Sequence, residues 1–145
     1  MLYLATHALA AVAERFQGFR GRSIGPEHLR VGPLGEGSAY ALAAYRASAG
    51  SECDLDHPEP LVERGLVPSD IATHDRTITQ AWALALFSEE RWMGVRYWSA
   101  LEAKWPVVGR WDWSDLLVLG VEPLTTAHPA VREAADFLAV ELESD

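Results

Sequence analysis

TITQAWALALFSEERWMGVRYWS, residues 77–99, is the stretch around which the chain is organised. Thr77 with Gln80 three residues on fits a capping box, in which side-chain oxygens take orphan backbone N–H groups of a first helical turn. Ile78, Trp82, Ala85 and Leu86 then recur at i, i+4, i+7 and i+8, one face of a helix. Ala81, Ala83, Leu84 and Phe87 fill most of the other face, and a helix apolar nearly all round is expected to be enclosed by its fold. Residues 88–91 are polar and mark the exit. Gly94 permits a turn, and the β-branched and aromatic residues 95–98 predict a strand that ends on Ser99. All six tryptophans lie between Trp82 and Trp113, so they are expected to form the core, and Trp98, next to Ser99, is the one indole with a pocket-wall role open to it.

The frame around it is set by size and charge. A chain of 145 residues is expected to be one domain, and it buries roughly two thirds of its unfolded surface on folding. The hydrophobic fraction of 49% is that of an ordered globular protein. A net charge of −9 disfavours nonspecific nucleic-acid binding and attachment to anionic membranes, because both need a cationic surface, and it suits a basic protein partner. Cys53 is the only cysteine, so no internal disulfide can form, which fits a reducing, cytoplasmic compartment. No apolar run approaches a membrane span, and the opening residues do not begin a signal peptide.

Read in order, residues 2–5 form a strand with almost no lead-in, Thr6 caps a helix over 7–17, and Gly18 ends it. Residues 19–37 are a Gly- and Arg-rich loop with a short strand at 29–31. The Gly35-x-Gly37 pair lacks the spacing of a nucleotide fingerprint. Residues 38–47 suit helix and strand equally, and 49–60 is a loop that holds Cys53. A short helix at 60–65 stopped by glycine and a turn at 68–70 lead into the long helix. Beyond Ser99 the chain makes a second apolar pass over 105–108 that ends at Gly109, and the pattern predicts a helical turn at 111–116 and a strand over 117–124. A helix over 129–138 with Pro129 at its first position and a last strand at 139–142 complete it. Strands and helices mix without strict βαβ repetition, which predicts α+β: a mixed sheet with packed helices.

Few constellations carry chemistry. His7, His28, His57, His74 and His128 never pair at ligand spacing, so no metal site is expected; His57-Pro58 and His128-Pro129 read as turn and helix-start positions. No Gly-x-Ser-x-Gly elbow surrounds Ser99, and Glu52, Asp54 and Asp56 would raise the Cys53 pKa and dull it as a nucleophile. Glu14 and Ser99 remain as a polar pair, each at the end of an apolar element. Local sequence alone makes Glu14 a solvated carboxylate, paired with Arg15 or Arg20.

Residues 2–14, 54–99 and 123–142 resemble the RES domain, a bacterial family named for arginine, glutamate and serine positions. The resemblance is carried by Leu2-Tyr3-Leu4-Ala5 with Ala10-Ala11-Val12-Ala13-Glu14, by Gln80-Ala81-Trp82-Ala83, by Gly94-Val95-Arg96-Tyr97-Trp98-Ser99, and by His128-Pro129-Ala130-Val131. It implies an NAD+-degrading toxin with a fold related to ADP-ribosyltransferases, paired with a helix-turn-helix antitoxin. On it Glu14 matches the family glutamate and is catalytic, while Ser99 and Tyr3 bind substrate. NAD+ is the substrate, no further cofactor is implied, and a homo-oligomer is compatible with it. The family's arginine precedes the strand that holds Tyr3, so the chain is expected to be N-terminally truncated relative to the family, with Arg15, Arg20, Arg22 and Arg96 as the substitutes to consider. Ala100 stands where the family often has a basic residue. Two other readings compete: an inactive RES-like domain that works only through protein contacts, and an unrelated acidic interaction module with a Trp-rich core.

Overall fold

A computed structural model describes residues 1–32, 37–48 and 52–143. The fold is α+β, as the pattern predicts, and its residues gather into two compact units. The first comprises residues 1–6 and 47–116. Its sheet holds β1 (Leu2–Ala5), β4 (Glu52–Asp54), β5 (Gly94–Trp98) and β6 (Pro106–Arg110) in the order β1-β6-β5-β4. The β1–β6 and β5–β6 pairs are antiparallel and the β4–β5 pair is parallel, so the sheet is mixed. Parallel neighbours need a long crossover. Here α2 (Pro58–Glu63), α3 (Pro68–Ile71) and α4 (Arg76–Ser88) supply it. Cys53, Leu55, Leu61, Ile71, Trp82, Leu86 and Val95 form the core of this unit.

The second unit comprises residues 7–46 and 117–145. Within it α1 (Ala8–Phe16) packs on α5 (Pro129–Leu138), joined by Ala10, Val12, Ala13 and Phe16 on one side and Ala130, Val131, Ala134, Ala135 and Leu138 on the other. The alanines let the two backbones approach closely. Two ribbons complete the unit: β2 (Ser23–Ile24) runs parallel to β8 (Glu141–Leu142), and β3 (Ala41–Arg46) runs antiparallel to β7 (Leu117–Pro123).

Several local expectations hold: β1 and α5 have their predicted bounds, and His128 is a helix N-cap followed by proline; the short helix expected at 60–65 instead starts two residues earlier, over Pro58–Glu63, with His57 as its N-cap. Others are corrected. The cap of α4 is Asp75, whose Oδ1 accepts from the Thr77 N–H at 2.8 Å, because a carboxylate two residues upstream reaches the first orphan donors before Thr77 can. That helix is not enclosed: only Trp82 and Leu86 are buried, and Leu84 and Phe87 are 64% and 53% exposed. His7, not Thr6, caps α1, and the chain passes Gly18 in a 3-10 turn over Gln17–Phe19. Cys53 lies in β4, where pairing with β5 overrides its polar neighbours; residues 49–51 of the expected loop, like Gly35, lie outside the described residues. Leu29 ends a 3-10 turn, and the strand expected at 29–31 is reduced to an antiparallel bridge between Arg30 and Ala39; residues 111–116 form turns without a helix, and Trp113 is exposed rather than core. Ala139 caps α5 in the left-handed region at φ 54° instead of opening the last strand.

Candidate functional site

Ser99 follows the last residue of β5. Its N–H donates to the Trp105 carbonyl at 2.9 Å, one step beyond the Trp98–Pro106 pair, so the β5–β6 ladder continues through it. Its Oγ accepts from the Leu101 N–H at 2.9 Å, which fastens the turn that leads into β6. The residue is 3% exposed. Tyr3 lies in the same sheet, on β1 opposite Gly109, and its side chain is 64% exposed. Gly109 also faces Val95, four residues before Ser99. Two strand spacings across and four residues along put the Tyr3 and Ser99 α-carbons about 16 Å apart. They share a sheet, and only an extended ligand would touch both.

Glu14 belongs to the second unit, in the last turn and a half of α1, and is half-buried. Gln17 Nε2 donates to its Oε2 at 3.2 Å and to its backbone carbonyl at 3.1 Å, which steers the carboxylate along the helix. Arg15, expected as its ion partner, instead donates to Tyr40 Oη at 2.5 Å and lies over the Tyr40 ring, 4.7 Å from its centroid. Of the other cations considered, Arg96 leans on Asp54 at 3.8 Å, and Arg20 and Arg22 are exposed.

The sequence reading missed Arg110. It is fully buried and pairs with the carboxylates of Glu52 and Asp115, while its Nε donates to the Asp112 carbonyl at 3.0 Å. Glu52, Gly94 and Arg110 sit side by side on β4, β5 and β6. The Arg110 side chain crosses the middle strand over Gly94, where an added Cβ would come within 2.7 Å of Arg110 Cδ and 2.5 Å of the Gly109 carbonyl oxygen. Glycine is therefore required at 94 by the adjacent strand, through the Gly109 carbonyl and the Arg110 stem, not by the turn the sequence suggests. Asp115 also accepts from the Ser48 N–H at 3.0 Å, and that hydrogen bond, then the Arg110 charge, holds its carboxyl below the ordinary range. An enclosed guanidinium with two carboxylates is unavailable to an anionic ligand. The signal that could have exposed it is a strand ending in arginine with Asp112 and Asp115 just beyond.

A second charged cluster lies at the end of α4. Arg64 Nε and Nη2 each donate to Glu89 at 2.9 Å, and Arg91 Nε and Trp92 Nε1 donate to Glu89 Oε2 at 2.9 and 2.8 Å. The Arg64 hydrogen bonds, with those from Trp92 and Arg91, pull the Glu89 pKa down to about 2. Burial, more than the acidic neighbours named from sequence, raises the Cys53 pKa and keeps its thiol protonated. Among the described residues no group of three or more His, Cys, Asp or Glu side chains is placed to hold a metal ion. Among the described residues no helix is long and apolar enough to cross a membrane. No protein-family model, no curated protein and no solved structure matches this chain.

Proposed function

We propose that the chain is a RES-domain-like protein that cleaves the nicotinamide–ribose bond of NAD+ in the bacterial cytoplasm, held in check by a helix-turn-helix antitoxin. The observation that carries this reading is the ordered set of motifs ending at Gly94–Ser99, whose glycine and serine each have a specific local duty: one admits the Arg110 side chain, the other fastens the strand end. Cleavage of that bond develops positive charge on the ribose, and a fixed carboxylate stabilises it. By the resemblance Glu14 takes that role, and Tyr3 and Ser99 bind substrate, Ser99 as a hydrogen-bonding group rather than a nucleophile. The acceptor is water, phosphate or a protein side chain, according to which one reaches the ribose.

A second reading is favoured by the exposed Leu84 and Phe87 of α4, an apolar helix face of the kind partners cover: a RES-like domain that acts by protein contact without catalysis. One experiment separates the two. Intracellular NAD+ is measured after induced expression of the parent and of Glu14→Gln. On the enzymatic reading the parent depletes NAD+ and the variant slows depletion by about a hundredfold or more. Steady NAD+ with a soluble, folded parent would falsify the catalytic reading and leave the binding one.

A further inference from the structure

The arginines of the two units are treated differently. In the first unit Arg64, Arg91, Arg96 and Arg110 each pair with a carboxylate. In the second, Arg15, Arg20, Arg22 and Arg30 are all exposed, and among the described residues none of them has a carboxylate partner. The nearest carboxylates in the chain are taken elsewhere: Glu14 accepts from Gln17, and Glu27 lies 3.0 Å from His28 Nδ1. These arginines gather round one cluster of rings, in which Phe16 meets Tyr40 and Phe19 at 6.5 and 5.9 Å and Phe19 meets His28 at 4.9 Å. Arg15 is held by the Tyr40 hydroxyl and ring face. Arg20 and Arg22 are the second and fourth residues of a turn that starts at Phe19. Arg20 has φ −49° and ψ 127°, Gly21 has φ 75°, and the Arg22 N–H donates to the Phe19 carbonyl at 2.8 Å. That is a type II turn, whose third position calls for glycine. Arg30 bridges to Ala39, beside Tyr40, and its Nη1 donates to the Gly37 carbonyl at 3.4 Å.

We propose that this arginine-lined face binds the pyrophosphate group of a small ligand, either inorganic pyrophosphate or a nucleoside diphosphate. Unneutralised guanidinium groups crowded into one stretch repel one another, and an anion set among them relieves that repulsion. A planar guanidinium takes two oxygens at once, and a pyrophosphate offers enough adjacent anionic oxygens to serve several such forks, which a single phosphate or carboxylate does not. The ligand is small because the patch is local. The chain as a whole carries a net charge of −9, so it repels a long polyanion such as nucleic acid. A pyrophosphate stays within a Debye length of the arginines, about 8 Å in physiological salt.

The proposal does not rest on NAD+ cleavage, and its test measures binding without turnover. The full chain is titrated calorimetrically with ADP, inorganic pyrophosphate, AMP and a short polyglutamate peptide. ADP and pyrophosphate are expected to bind, with AMP and the peptide at least tenfold weaker and all affinities falling as salt rises. Tighter binding of ADP than of pyrophosphate assigns the site to a nucleotide, and equal binding assigns it to the pyrophosphate group alone; both support the proposal. Arg20→Ala combined with Arg22→Ala should weaken ADP binding at least tenfold. Arg76→Ala combined with Lys104→Ala removes as much charge from exposed positions of the first unit and should change it less than twofold. Circular dichroism confirms that both double variants fold. A folded parent that binds neither ADP nor pyrophosphate overturns the proposal, even if the same chain depletes NAD+. So does AMP or polyglutamate binding as tightly as pyrophosphate, or an equal loss in the two double variants.

Discussion

Gly94 and Arg110 show how one residue's identity is dictated by another's path. The guanidinium cannot reach Glu52 from β6 without passing over β5, and only glycine leaves that passage open. Gly94→Ala is expected to destabilise the protein by about 2–4 kcal/mol, since the new methyl meets both a carbonyl oxygen and the arginine stem, and displacing the arginine unpairs buried charge. Gly120→Ala, which meets nothing, should stay within about 0.5 kcal/mol of the parent. Urea midpoints of the two variants check this. Equal losses would mean that neither the Gly109 carbonyl nor Arg110 requires a glycine at 94.

At the scale of elements, two ends decide more than the middles do. Helix α5 ends on Ala139 at φ 54°, ψ 49°, with the Val140 N–H returning to the Ala135 carbonyl at 2.9 Å. An alanine in this region carries a steric cost that glycine does not, so Ala139→Gly should raise stability by about 0.5–1 kcal/mol, seen as a higher thermal midpoint. At the end of α4, Glu89 joins that helix to Arg64 after α2. Its pKa is lower when folded, about 2 against an ordinary 4.5, so the folded state prefers the ionised form. The stabilisation is complete above pH 4.5 and is lost as pH falls through about 2. With a quarter of the side chain exposed to screening water, the loss amounts to about 1–2 kcal/mol. Glu89→Gln should therefore unfold more easily than the parent at pH 6 and about as easily near pH 2, in paired denaturant titrations.

Across the whole molecule, the sequence determined what neighbouring residues settle between themselves. The bounds of α5 and its proline-led start at His128 rest on interactions spanning a few residues, while the α+β class and β1 show in the apolar pattern. Those are fixed by periodicity, proline geometry and capping hydrogen bonds. The positions of Glu14, Tyr3 and Ser99 in their elements were legible for the same reason; the distance between Tyr3 and Ser99 was not, because it depends on how three strands pair. Only the tertiary structure decided that Cys53 enters the sheet, that α4 leaves Leu84 and Phe87 in water, that Trp113 stays outside, and that Arg110 is enclosed between two carboxylates. For Cys53 and Arg110 the deciding partner is distant in sequence: β5 for the first, Glu52 across 58 positions for the second. A hydrophobic pattern states that a residue can be buried, and long-range register alone determines what it is buried against.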